Sequence, residues 1–243
     1  AANLDAIQHV PVAKLLAAHG GTRIEMPPHG MAVRMGYAPV VDGRFLPTNP
    51  FDPVASPVSA DIPILVGCNE FEATLFYLPD EAAFSLDRIG LQNKLTDMLG
   101  APEASRLMGV YTHAHPRDTP SDTFFRIASD RLLRHDTVRL AERKQAQGRA
   151  AVFMYYFTWK SPALGGRLRA PHTVEIPFVF DNTQIPTVMT RAPTAKALAV
   201  KTSAAWIAFA HHGDPNHAGL PYWPPYTPAK RETMVFDDVC RVV

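Results

Sequence analysis

A chain of 243 residues that is 47% hydrophobic can bury a sizeable core and falls in the range of one large domain or two small ones. Its 24 Lys and Arg against 23 Asp and Glu leave a net charge of +1, with no basic run able to neutralise a track of phosphates, so nucleic acid is not an expected partner. The longest strongly apolar stretch, Ala150 to Phe157, is far short of the ~20 residues a membrane helix needs, so no membrane span is expected.

The N-terminus, Ala1-Ala2-Asn3-Leu4-Asp5-Ala6, has neither an initiator Met nor the basic and apolar regions of a signal peptide. The chain is therefore expected to begin in mid-protein or after processing, and a cytoplasmic location is favoured over a secreted one. Residues 3–20 read as two short helices broken at Pro11 and stopped by Gly20-Gly21. From Met26 to Ser59 the chain is rich in Pro, Asn, Asp and Gly, as in a long functional loop or one wrapped over a larger body.

Ile62-Pro63-Ile64-Leu65-Val66-Gly67-Cys68 is continuously apolar, as expected of a strand buried on both faces of a parallel sheet. It ends in a loop holding Asn69, Glu70 and Glu72. Residues 80–100 and 102–112 have helical composition, and Ser121 is a candidate N-cap for a long helix reaching about Gln147, with Gly148 as its stop. A second buried strand, Ala150 to Phe157, leads through Trp159 and a Gly-containing loop to Pro171-His172-Thr173-Val174-Glu175-Ile176-Pro177-Phe178-Val179-Phe180. This segment sets an imidazole in a turn beside an apolar run, and histidine is the side chain whose ordinary pKa suits it to take and return a proton.

Thr194 to His212 reads as the strongest amphipathic helix, with Leu198, Ala205, Trp206 and Phe209 apolar, Lys196 and Lys201 polar, and Gly213 as its stop. A Gly213-Asp214-Pro215-Asn216 turn follows, then a Trp223-Pro224-Pro225-Tyr226 loop and two short strands at 233–236 and 239–243. Strand, helix, strand, helix is the rhythm of an α/β sheet, whose active sites gather beyond the carboxyl ends of the strands. Glu72 and His172 each follow one of the two best strands.

Cys68 and Cys240 are too few and too far apart for a disulfide framework or a CxxC metal site, and both read as buried thiols. His113-x-His115 and His211-His212 lack a third ligand at recognisable spacing, so neither a metal nor a cofactor is expected. Heavy use of Ala, Arg and Pro points to a GC-rich bacterial source.

Four segments in this order resemble the type B carboxylesterases, the α/β-hydrolase family that includes the cholinesterases and bacterial para-nitrobenzyl esterases. The first is Tyr37-x-Pro39-Val40-Val41-Asp42-Gly43 with Leu46-Pro47, similar to the stretch before the family's acid strand. Ile64 to Glu72 resembles that strand and the loop bearing the catalytic acid, and Pro171-His172-x-x-Glu175-Ile176-Pro177-Phe178-Val179-Phe180 resembles the catalytic-histidine signature. Trp206-x-x-Phe209-Ala210 through Asn216, then Trp223-Pro224-x-Tyr226, is similar to the C-terminal helix, turn and tryptophan loop.

The resemblance implies the C-terminal portion of an α/β-hydrolase fold, with residues 1–243 forming part of a single catalytic domain. By it, Glu72 is the triad acid and His172 the general base, in the order of an α/β-hydrolase. Glu175 is expected to brace the loop, and Leu75 and Phe76 to line the acyl pocket. Two positions depart from the family, which usually has Asp-Glu-Gly at the acid and Gly after the histidine, against Phe71-Glu72-Ala73 and Thr173 here.

No G-x-S-x-G elbow and no oxyanion-hole glycine motif occur, and none of the eight serines has Gly on both sides. The resemblance therefore implies a partner: the N-terminal half of the same enzyme, as a separate chain or fragment, carrying the nucleophilic Ser. An open sheet edge and an uncovered apolar face would also need such a partner. The substrate implied is a small-molecule ester, and this chain alone is expected to be inactive. The alternative is a catalytically inactive, adhesion-type relative whose role is protein binding.

Overall fold

The computed structural model describes residues 4–21, 39–185 and 189–243. Tyr37 and the part of the Pro-rich passage before Pro39 lie outside the described residues. Two short helices, α1 (Leu4–Gln8) and α2 (Val12–Gly21), flank Pro11 as expected.

Four strands form one sheet in the order β1 (Ile64–Asn69), β2 (Val152–Phe157), β3 (Thr233–Phe236) and β4 (Arg241–Val242), the first three parallel and β4 antiparallel to β3. Residues 70–151, between the paired strands β1 and β2, carry α3 (Ala73–Phe76), α4 (Arg88–Leu99), α5 (Ala101–Ala114), α6 (Pro120–Ser129) and α7 (His135–Gln145). After β2 come α8 (Ile176–Val179) and α9 (Ala195–His212).

β2 carries apolar side chains at all six positions because both faces of the sheet are covered there. Its alternation sends Phe153 and Phe157 into a cluster with Leu198, Ala199 and Ala205 of α9, Trp159, Phe178, Trp223 and Phe236, while Val152 and Met154 pack with Ala141 of α7 and with Tyr226. A third cluster, with Phe71, Leu91, Leu95, Phe124, Phe125 and Ile127, gathers α4 and α6 around the start of α3.

Several boundaries differ from the sequence reading. The long helix expected from Ser121 starts instead at Pro120, capped by Thr119: its hydroxyl accepts from Asp122 N at 3.1 Å, and Asp122 answers with a capping box. Thr119 wins because Asp122 stands at the third helical position, where the reciprocal bond is possible. Ser121 is buried instead, and its hydroxyl accepts from Leu86 N at 2.9 Å.

That helix is broken by one π turn at Asp130–Arg134, which directs Asp130 to the Tyr111 hydroxyl at 2.6 Å and sets the Arg134 guanidinium 4.3 Å over the Tyr156 ring. α9 ends as expected at Gly213, whose φ of +69° lets its N–H bond Phe209 O at 2.7 Å. It is less one-sided than its pattern suggested, for Val200 and Ile207 are exposed.

β1 departs most. Only Cys68 and Asn69 are buried, Ile64 to Gly67 are half-buried, and among the described residues no strand lies along its outer edge. Leu65 packs against the cluster that holds α9 and Val66 against the one that holds Ala141 of α7, so each face of the strand has partial cover. Both cysteines are free and buried as expected, with burial pushing the Cys68 thiol up to about 12.

Gly67 sits where β1 crosses Tyr155 of β2. A Cβ there would meet both the Tyr155 ring and the Tyr155 carbonyl oxygen at 2.4 Å, and backbone cannot yield as a side-chain tip can. Gly67→Ala is therefore expected to destabilise the protein by about 2 kcal/mol or more, read from its urea unfolding midpoint. An unchanged midpoint would show that the sheet accommodates the methyl group.

Candidate active site

In the parallel pair, Asn69 stands opposite Phe157, so β1 and β2 end level with one another. The segments that leave their carboxyl ends meet at once. Glu70 N donates to Phe157 O at 2.9 Å, and Phe71 N donates to Ala170 O at 3.0 Å, joining the loop after β1 to the segment that precedes His172.

At this junction His172 Nδ1 lies 2.7 Å from Glu72 Oε2. The other carboxylate oxygen, Oε1, accepts from Asn69 N at 2.7 Å. A carboxylate only accepts, so it selects the tautomer that carries its proton on Nδ1 and leaves Nε2 as the basic atom. Exposure separates the two roles: the Glu72 side chain is 5% exposed and the His172 side chain 37%, so the imidazole can meet a reactant while the carboxylate cannot. Burial pushes the Glu72 carboxyl above its ordinary range, opposed by the Asn69 N–H and the imidazole.

The acid loop expected to be irregular turns directly into α3, and the protein grips it from several sides. Ala73 N donates to Ser129 Oγ at 3.0 Å, and Thr74 Oγ1 donates to Phe71 O and Leu168 O. Arg126, buried on α6, bonds Glu70 at 2.7 Å and Asp118 at 2.8 Å, with its guanidinium 4.8 Å from the Phe71 ring centre. Burial pulls its pKa down, but the hydrogen bonds it donates to Asp118 and Glu70 outweigh that and hold the cation. A charged neighbour thus holds the chain before the acid, and neutral hydrogen bonds hold it after.

The histidine turn is closed by Val174 N donating to Pro171 O at 3.2 Å, and Thr173, its third residue, has φ of +68°. That is the left-handed region, natural for Gly and costly for a β-branched side chain. The departure from Gly at this position therefore leaves a glycine-like backbone in place, at a cost of about 1–2 kcal/mol.

Of the residues singled out in the sequence, Glu72, His172, Glu175 and Phe76 are brought together. The Phe76 ring lies 5.1 Å from the imidazole, tilted 40°, and covers one side of it. Glu175 is reached through Asn69, whose Nδ2 donates to Glu175 Oε2 at 2.5 Å and to Pro171 O at 2.8 Å. Leu75, one residue before Phe76, is half-buried. Asn69 was legible only as a loop residue, because its partners lie more than a hundred positions away. Its buried Oδ1 has no hydrogen-bond partner among the described residues.

His113, His115, His211 and His212 form no metal cluster among the described residues. No described helix is long and apolar enough to cross a membrane.

Residues 4–241 match the Carboxylesterase family. A para-nitrobenzyl esterase of Bacillus subtilis is 31% identical over 83% of this chain and 39% of its own length, and a phenmedipham hydrolase of Pseudarthrobacter oxydans is 28% identical over 97% of this chain and 47% of its own. Among solved structures, a carboxylesterase of Geobacillus stearothermophilus superposes with a TM-score of 0.72 at 32% identity, covering 99% of this chain and 48% of that one. The chain thus spans less than half the length of these relatives.

Two outcomes follow from the site's geometry. Thr173→Gly is expected to raise stability by up to about 1 kcal/mol, relief of the left-handed strain exceeding the added chain entropy, and a lower unfolding midpoint would contradict that strain. Because burial raises the Glu72 pKa in the folded state, its stabilising contribution is present below the unfolded value and lost as pH rises through the folded one. Unfolding measured from about pH 4 to neutrality should therefore show Glu72→Gln gaining on the wild type as pH increases; a constant difference would contradict the raised pKa.

Proposed function

The chain belongs to the carboxylesterase family and carries its α/β-hydrolase fold in part, and from that premise we propose that it supplies the acid and the base of a Ser-His-Glu carboxylic ester hydrolase. The observation that carries the reading is the 2.7 Å bond from His172 Nδ1 to the buried Glu72, with Nε2 left for chemistry. The Ser and the oxyanion hole come from a partner segment equivalent to the N-terminal half of the relatives. The share of their length covered, the half-buried β1 with its open edge and the unpartnered Asn69 Oδ1 support that partner.

In the assembled enzyme the partner's Ser attacks the ester carbonyl while His172 Nε2 takes its proton. The oxyanion of the tetrahedral intermediate is held by the partner segment. As the carbonyl re-forms, the imidazolium gives its proton to the departing alcohol, leaving an acyl-enzyme. Water then attacks with His172 again as base, and the acid leaves as the Ser regains its proton. Glu72 holds the ring and opposes the positive charge that arises on it, and its burial strengthens that effect. Phe76 excludes water from one side of the imidazole and borders the acyl group, with Leu75 beside it.

Fluorophosphonate labelling and hydrolysis of a p-nitrophenyl ester by the assembled protein test this. Label is expected on a Ser of the partner segment, none on this chain, and His172→Ala is expected to abolish labelling and lower kcat by about 10³–10⁶-fold. A protein that neither labels nor hydrolyses would instead match the protein-binding relative. Full activity of this chain by itself would overturn the split of the triad.

A further inference from the structure

We propose that Asn69 is a positioning residue that sets the histidine turn against the acid loop. Its backbone N–H donates to Glu72 Oε1 at 2.7 Å, and its side-chain Nδ2 donates to Pro171 O at 2.8 Å and Glu175 Oε2 at 2.5 Å. One residue thus holds the carboxylate, the residue before His172 and the carboxylate three residues after it. This role rests on the esterase reading of Glu72 and His172.

The geometry leaves little freedom. Both hydrogens of Nδ2 point at oxygen atoms that only accept, which fixes the orientation of the amide. Asn69 is 2% exposed and belongs to β1, so the donors stand on the sheet and water does not compete for them. The clamp also answers an electrostatic problem. The Glu175 carboxylate disfavours the charge of Glu72, and Asn69 presents an N–H to each. Without it the turn that aims Nε2 would be tied to the acid loop by the Glu72 bond and by Phe71 N on Ala170 O, with a Thr173 backbone that is itself strained.

Since a displacement of ~1 Å in a reacting group costs about 10²-fold, Asn69→Ala is expected to lower kcat by about that factor with KM within about threefold. A double variant with Glu175→Ala should lose no more than the worse single variant, because each removes the Asn69–Glu175 bond. Asn69→Asp keeps the shape but turns donors into acceptors. It adds a carboxylate to Glu72 and Glu175 around the imidazole, with Cys68 and Tyr155 held neutral by burial, so the acid limb of kcat/KM should move to higher pH.

Amide hydrogen exchange of the assembled protein reads the clamp without activity. In Asn69→Ala the turn at 171–176 should exchange about tenfold faster while α9 is unchanged. A wild-type protein that fails to hydrolyse esters would sink the esterase reading alone if that exchange response is present. The clamp is overturned by unchanged exchange, by additive losses in the double variant, or by kcat of Asn69→Ala within about twofold of wild type.

Discussion

The parallel pairing of β1 with β2 is the constraint from which the site derives. Because Asn69 faces Phe157, two segments remote in the chain leave the sheet at the same level and must cross within hydrogen-bonding distance. Everything at the site then depends on that level edge: Glu70 on Phe157, Phe71 on Ala170, and Glu72 on His172. A slip of one residue would turn Asn69 and the acid loop to the other face of the sheet. Gly67, tight against Tyr155, fixes how closely the two strands approach.

Holding a carboxylate 5% exposed beside an imidazole is costly, and the surrounding structure offsets that cost locally. Glu72 receives a backbone N–H and the ring, Arg126 anchors the residue two positions before it, and Ser129 and Thr74 fix the start of α3. Thr173 stores strain in the histidine turn, and the bonds around it keep that conformation. The buried carboxylate and the strained turn meet at one junction, as expected where an arrangement serves chemistry more than stability.

Much of this was legible in the sequence for physical reasons. The run from Ile64 to Cys68 and that from Ala150 to Phe157 are continuously apolar because a parallel strand meets side chains on both faces, and Gly213 ends α9 because its backbone must turn left-handed. His172 and Glu72 stood out by following those strands. The long helix starts earlier than the cap residue Ser121 suggests, because the reciprocal partner Asp122 favours Thr119. The π turn at Asp130 and the exposure of Val200 and Ile207 follow from packing that a local pattern does not encode.

By itself the sequence determined the α/β class, the strands β1 and β2, the family resemblance and the identity of the acid and base candidates, since each of these is written in local periodicity or in short motifs. Only the tertiary structure decided that Glu72 and His172 are 2.7 Å apart, that the Phe76 ring lies 5.1 Å from the imidazole, that Thr173 takes a glycine's backbone and that Asn69 links the two loops. These are distances and dihedral angles between residues remote in the chain, fixed by strand register and close packing, and neither is a property of any single segment.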